Sequence, residues 1–585
     1  MAYTFEIYVI ARDEDAVKLF KENNPCITSA KFCVNPSSIF KVISEILFSD
    51  ADYAIICHDD VTYPSSFNSI INDLVSKLNT DWPKWGIAGN SGISVVQNVC
   101  DNRIVKYAIE DGELPSSIGH ILPAETIDGN TILLNCRSLR NAKISIPQYD
   151  GMHEYDTILS IATQYHGLSV LICPELACFH LNISYPTTSV PIQYSDAFLS
   201  FLSSKITNRK LKTVRENFSI PKKNSSEQRY DLRRLAAVNA SKGRTAKLGI
   251  ITRSQFRSIS LLNRTIESVK EFRDAAISNI QITHYIATDV SKIIEFPGSE
   301  DVTILHYPDV KREDSRNILI QRAVNDSNDD FILLLDDDDW LFPNEALLVS
   351  AALVSTPRTG SLVVESQLFE ELFDSESGEL LSRNENPTHV FRSDDWQQNF
   401  SGINHIPSCG VFYSRELVTE VPDASFNSVK YYEDFAISSF VMLNPRAAFF
   451  NIPVLTAGIS IRSHPDEVVK NTVTEKDRSK WNQSLAEFSY LYADQKQNNI
   501  VRGIGGALAI NIQQIEYNSK QSRHSTQSYS LSRSDRAALV ISRTAKGAFY
   551  FSVKPHLYAS NIQRFITETK NKGLRGLVRA VADTN

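Results

Sequence analysis

The chain has 585 residues, 42% apolar and 22% charged, with a formal charge of -8. That composition is ordinary for soluble globular proteins and excludes collagen-like, mucin-like, wholly disordered and coiled-coil chains. The charge is too mild for a polyanion-binding protein, so no nucleic-acid partner is expected. At roughly 100–200 residues per domain, the length predicts about three domains, or two large ones with appendages. The longest aliphatic runs, such as Phe331 to Leu335, are strand-length, far short of the ~20 apolar residues of a membrane span. The opening residues carry no basic start and no apolar stretch, so the sequence predicts a cytoplasmic chain. The 8 cysteines form no CxxC pair and no disulfide framework. Those in Ile56-Cys57 and Ile172-Cys173 read as buried thiols.

In chain order, Phe5 to Ala11 reads as a strand and Asp15 to Lys21 as a helix. Ala51 to Cys57 is a short apolar run ending in His58-Asp59-Asp60. Phe67, Ile70, Ile71, Leu74, Val75 and Leu78 then recur at a helical period. This alternation predicts an α/β domain over residues 1–204. From Lys205 to Lys247 there are 13 Lys/Arg against 3 Asp/Glu, a net of +10. Such a charge run predicts a solvated connector, 205–246, with a helix around Tyr230 to Ala237.

At Leu248 the α/β pattern restarts and continues to about residue 470. Strands are expected at Leu248 to Thr252, Ile282 to Ala287 and Val302 to His306, and helices at Leu261 to Phe272 and Ser315 to Val324. Phe331 to Leu335 is wholly apolar, as the buried centre of a parallel sheet is. Four aspartates, Asp336 to Asp339, follow it. The remainder, 471–585, reads as mainly helical. Its end, Ile541 to Asn585, holds 8 Lys/Arg against 2 Asp/Glu. Ile562, Phe565, Ile566, Leu574, Leu577 and Val578 fall there at roughly helical spacing, predicting a basic amphipathic helix suited to an anionic membrane surface. A helix packed against the second domain fits the same pattern.

The halves repeat. Asp52 to Asp60 lies on Asp330 to Asp338, and Tyr155-Asp156 on Glu433-Asp434, both at an offset of 278. His180 and His464 then close the two halves. Four adjacent carboxylates at a strand end repel one another, which a hard cation relieves; oxygen ligands select Mg²⁺ or Mn²⁺, with substrate phosphates completing the shell. Strand carboxyl ends are also where open α/β sheets bind ligands. Glu433-Asp434 at a helix start fits a capping role or a general base.

With these motifs in place, residues 247–470 resemble a family 2 glycosyltransferase of the GT-A fold. The likeness is carried by Leu248 to Arg253, Ser315-Arg316-Asn317, the Asp336 to Trp340 DxD segment and Tyr432-Glu433-Asp434. Residues 4–190 resemble a shorter branch of that family through His58-Asp59-Asp60-Val61, Gly86 to Gly89, Asp128-Gly129, His153, Asp156 and His180, with Tyr155 in place of the usual glutamate. The resemblance implies two tandem GT-A domains with a helical C-terminal extension. It implies an inverting, bifunctional hexosyltransferase using Mn²⁺ or Mg²⁺ and a nucleotide-sugar donor, a UDP-sugar foremost, with a glycan or lipid-linked acceptor. It places Asp434, Glu433 and Asp156 in catalysis. Thr252, Arg253, Asp289, Arg316, Asp336, Asp337, Asp59 and Asp128 would hold the donor, and Asp338, His464, Asp60 and His180 the metal. Two other readings compete: one active second half beside an acceptor-binding first half, and a nucleotidyltransferase. Against the latter, Thr252 to Gln255 has no glycine-rich phosphate loop.

Overall fold

The computed structural model describes residues 3–98, 103–108, 119–147, 154–181, 196–208, 210–214, 217–221, 229–290, 298–310, 317–373, 380–394, 406–421, 423, 426, 433–444 and 446–462. The expectations for His153, Arg316, His464 and the region 471–585 lie outside the described residues, as does the side chain of Glu433. The chain divides into two compact units. One comprises Met1–Ala246 with Ala276–Ile280 and Leu347–Thr356; the other comprises Lys247–Ala275, Gln281–Ala346 and the described residues from Pro357 onward.

In the first unit the sheet runs in the order Ala30–Val34, Phe5–Ala11, Tyr53–His58, Thr131–Asn135, Trp85–Gly89, Ser169–Ile172, Leu122–Ile127, Ser91–Ser94, Ile104–Lys106. The first three strands are parallel. Thr131–Asn135 is antiparallel to both its neighbours, and Ser169–Ile172 is parallel again to Trp85–Gly89. Because Tyr53–His58 lies between neighbours with helices packed on the sheet, it is apolar throughout until His58. The helix Phe67–Asp81 buries Phe67, Ile71, Leu74, Val75 and Leu78 on one face, the spacing that predicted it. Tyr53 and Trp85 stack at 5.8 Å in the core beneath.

The second unit is built in the same way. Its sheet runs Thr303–His306, Ile280–Thr288, Ala246–Arg253, Phe331–Leu334, Val411–Ser414, Gly360–Phe373, Ala448–Arg462, Trp340–Leu341. Ala246–Arg253 is parallel to Phe331–Leu334, Val411–Ser414 is antiparallel to both neighbours, and Ala448–Arg462 is parallel to Gly360–Phe373. The two ladders match residue for residue: Tyr53 faces Asn135 where Phe331 faces Ser414. In each, that last residue caps the helix after it, accepting from the backbone of Ser138 or Leu417. The second unit has two strands outside its first, where the first unit has only Ala30–Val34. This accounts for the longer stretch between opening strand and acidic loop.

The segment expected as a solvated connector is instead part of the first unit. The helix Leu232–Ser241 is capped by Asp231 and buries Leu232, Ala236, Ala237 and Ala240 along one side. Asn239 donates to Gln164 O at 2.6 Å. A charge tally does not see a short apolar stripe. No helix among the described residues is long and apolar enough to cross a membrane. Cys57 and Cys173 are buried, and burial pushes the Cys57 thiol up to about 12.

Candidate active sites

In the first unit the strand Tyr53–His58 ends at a turn, Asp59-Asp60, and the chain returns as Val61–Thr62. That short strand pairs antiparallel with Phe179–His180, placing His180 opposite Val61. Leu181 N donates to Asp60 O at 2.8 Å, extending the same pairing. Residues more than a hundred positions apart are thereby clamped together. His180 Nε2 lies 3.3 Å from Asp60 Oδ1, and the ligand atoms of His58, Asp60 and His180 all lie within 4.8 Å of one another. Burial pushes the Asp60 carboxyl up, but the contact with His180 and the positive charges of His180, His58 and Arg12 bring it below its ordinary value.

Asp59 faces the other way. Its Oδ2 accepts from Arg12 N at 2.8 Å and Arg12 Nε at 2.9 Å, and it is 5% exposed. It therefore anchors the acidic turn to the end of the first strand. The second carboxylate, Asp156, stands in the first turn of the helix Tyr155–Tyr165 and accepts from Thr157 N at 2.6 Å. The turn Asp128-Gly129 lies against it: a Cβ on Gly129 would come 2.4 Å from Tyr155 Oη and 3.3 Å from Asp156 Oδ2. Tyr155 donates to Gly129 O at 2.6 Å, and its hydroxyl is 3.2 Å from His58 Nε2. The structure thus brings Asp60, His180 and His58 together, and Tyr155 links His58 to Gly129, which lies beside Asp156.

In the second unit the four aspartates are separated by their partners. Asp336 pairs with Arg253 at 3.3 Å, and Arg253 is held in turn by Asn317 at 2.6 Å. Asp337 accepts from Ser254 Oγ at 2.7 Å, anchoring this loop to the first strand as Asp59 anchors the other. Asp339 is buried and accepts from Ser460 N at 3.1 Å. Burial, with Asp338 and Asp336 beside it, pushes its carboxyl well above the usual range. Asp338 offers its backbone carbonyl to Arg264. Mutual repulsion is therefore relieved by giving Asp336, Asp337 and Asp339 separate partners, Arg253, Ser254 and the backbone of Ser460.

Behind the loop is a charged network that no motif announced. Glu371, wholly buried, accepts from Arg264 Nη1 at 2.8 and 3.0 Å, Arg383 Nε at 2.7 Å and Ser460 Oγ at 2.6 Å. Both guanidiniums lie over the Trp340 ring, 4.5 Å for Arg264 and 4.2 Å for Arg383. The indole packs so closely on Gly458 that a Cβ there would come 2.2 Å from Cε2, which only glycine permits. Asp434, in the first turn of Glu433–Leu443, accepts from Phe435 N at 2.7 Å. Cys409 links the two acidic positions. Its buried thiol is pushed up first by burial and then by the nearby carboxylates of Asp339, Asp336 and Asp434.

Two further expected donor residues, like Asp59 and Asp337, have partners within their own unit. Thr252 is fully buried and its hydroxyl meets His284 Nε2 at 2.9 Å, so its side chain faces the core rather than a cleft. Burial holds His284 down to about 3, so the imidazole is neutral. Asp289 is engaged by Gln255 Nε2 at 3.3 and 3.5 Å.

No family profile matches the chain, and no curated protein matches it. Among solved structures, the chain is similar to S. aureus TarS 1–349 at 12% identity, covering 58% of this chain and 91% of that one with a TM-score of 0.31. The complex of that fragment with UDP-GlcNAc gives 12% identity, the same coverages and a TM-score of 0.32. The longer S. aureus TarS structure gives 9%, covering 57% of this chain and 55% of that one, at 0.32. Likeness at this level carries no weight for activity, which rests on the residues of the two acidic turns and their partners.

Proposed function

We propose that the chain is a metal-dependent, inverting glycosyltransferase with two GT-A-type sites, transferring sugars from nucleotide-sugar donors to a growing polysaccharide or lipid-linked glycan. One observation carries this reading. In each unit the same ladder sets an acidic turn at the end of a buried strand, Tyr53–His58 or Phe331–Leu334, and a second carboxylate, Asp156 or Asp434, at the start of the matching helix. One acidic group on the donor side and one for the acceptor is what a single displacement needs.

The residues fit a cation. Asp60 Oδ1 is shut off from solvent without a hydrogen bond, and His180 at 3.3 Å is long for one. A bound Mn²⁺ or Mg²⁺ would stabilise charge developing on the leaving diphosphate. Asp60, His180 and His58 would hold it in the first unit and Asp338 in the second. Arg253, fixed between Asp336 and Asn317, stands at the strand end facing the donor phosphates. Asp434 and Asp156 take the proton from the attacking hydroxyl. Each stands in the first turn of its helix, where the dipole favours the ionised carboxylate. In the other reading only the second unit transfers, which Tyr155 in the acidic pair and the single outer strand of the first unit favour.

The test is a panel of nucleotide-sugars, scored for hydrolysis and transfer, with Asp338→Ala and Asp60→Ala as site-specific losses. If no nucleotide-sugar is turned over or protects either unit against melting, the reading fails. The basic end of the chain is proposed to touch an anionic membrane. Deleting residues 560–585 should release the protein from anionic vesicles and leave transfer to a soluble acceptor unchanged; retained vesicle binding would refute that contact.

A further inference from the structure

The two units differ at a pair of positions that touch. Where the second has Asp336 and Glu433, the first has His58 and Tyr155, both at an offset of 278. In the first unit these residues meet, His58 Nε2 to Tyr155 Oη at 3.2 Å. The exchange of an oxygen donor for an imidazole is thus accompanied by the exchange of a carboxylate for a hydroxyl beside it.

We infer that the first unit carries a two-histidine, one-carboxylate site, His58, Asp60 and His180, selective for a transition-metal ion over Mg²⁺, with Tyr155 as the residue that positions His58. This deepens the functional reading above and rests on it only for the role of the ion. Imidazole nitrogen suits Zn²⁺, Co²⁺, Ni²⁺ and Fe²⁺, whereas Mg²⁺ takes oxygen and keeps its water. The loop Asp336 to Asp339 offers oxygen only.

The geometry supports the set. At metal–ligand distances of about 2.0–2.2 Å, two ligands of one ion lie roughly 3–4 Å apart. Asp60 and His180 are already at 3.3 Å, and all three ligand atoms fall within 4.8 Å. A small rotation of one imidazole closes the remainder. Each ligand is carried by paired backbone: His58 by the third strand, His180 by its pairing with Val61, and Asp60 by the turn between.

Tyr155 holds the orientation of His58. Its proton goes to the Gly129 carbonyl at 2.6 Å, because a carbonyl only accepts. The hydroxyl oxygen therefore lies beside His58 Nε2 at 3.2 Å and holds the imidazole in place next to Asp60 and His180. Such outer contacts fix tautomer and orientation, and their loss typically weakens metal binding 10–100-fold. The main chain is shaped to hold this contact. Glu154, just before the helix, takes a left-handed φ of 68°, and Gly129 leaves no room for a side chain under the tyrosine ring.

The experiment uses the full chain stripped with chelator, in an Asp338→Ala background that disables the second loop. Co²⁺ is added and its visible absorption followed, with Mg²⁺ as competitor. The expected result is one tight Co²⁺ per chain with ligand-field bands, retained under a hundredfold excess of Mg²⁺. His58→Gln and His180→Asn should abolish the bands. Tyr155→Phe should weaken Co²⁺ binding 10–100-fold, with the metal-free melting temperature lowered only by the loss of the Gly129 hydrogen bond. X-ray absorption of the wild-type Co²⁺ form counts imidazoles without any substitution, and two are expected. Displacement by equimolar Mg²⁺, fewer than two imidazoles, or a Tyr155→Phe variant that binds as the wild type would overturn the inference. Co²⁺ bound as described without any metal-dependent sugar transfer would uphold it and sink the functional reading instead.

Discussion

Replacing Glu371 by glutamine removes one charge and little else, which makes it a sharp test of what holds the second acidic loop. Its carboxylate accepts from Arg264 twice, from Arg383 and from Ser460. Glutamine has one acceptor oxygen and brings two donor hydrogens, so at least one guanidinium N–H is left facing an N–H. Removing one partner of a buried ion pair costs about 3–5 kcal/mol. The arginine side chains are 21% and 34% exposed, so water recovers part of this and about 3 kcal/mol is expected. At about 2–4 °C per kcal/mol for a unit of this size, that is a fall of roughly 6–12 °C in melting temperature. The pH dependence has a definite sign. Burial pushes the Glu371 carboxyl up, but its hydrogen bonds and the charge of Arg264 bring it below its unfolded value of 4.5. The wild-type advantage is therefore full above about pH 4.5 and lost as pH falls through the lower folded value. Denaturant unfolding of wild type and variant at pH 7 and near pH 3.5 measures both effects. A difference under about 1 kcal/mol at pH 7, or one that grows on acidification, refutes the account.

Asp338→Ala should abolish transfer by the second unit while the chain stays folded; undiminished transfer with the first unit disabled contradicts this. Asp434→Asn should keep donor affinity, measured by calorimetry, and lose turnover by about 10²–10⁴-fold; parallel loss of affinity points to a donor-binding role. Asp60→Ala or Asp156→Asn should remove one linkage type and leave the other, read by product analysis. Retention of both linkages makes the first unit a non-catalytic module.

Much of the scaffold was legible because it depends on local period. Phe5–Ala11 appears as read, and the helix at Phe67 runs only three residues past its expected end. The repeat was legible because two acidic positions kept one spacing, and the ladders carry that spacing into strand pairing. The site was legible only where chemistry sits beside a strong apolar run, as at Asp336 to Asp339 and His58 to Asp60. Thr252 misled because strand position does not say which face a side chain takes, and here it takes the His284 side. Arg264, Glu371 and Arg383 were invisible, since they are ordinary residues on a helix and two strands that meet only in the folded sheet. Tyr155 was legible as a departure from pattern, but its role required the distances to Gly129 and His58.

The pairing of Val61 with His180 has a consequence for how the first unit is made. One strand of that two-residue ladder comes just after the third sheet strand, and the other comes after every strand of the unit's main sheet. A nascent chain that has released His58 and Asp60 still lacks His180 until residue 180 clears the ribosome. Clustering of these three side chains thus follows synthesis of the whole sheet, and a fragment ending before that point has two of them without the clamp that aligns them.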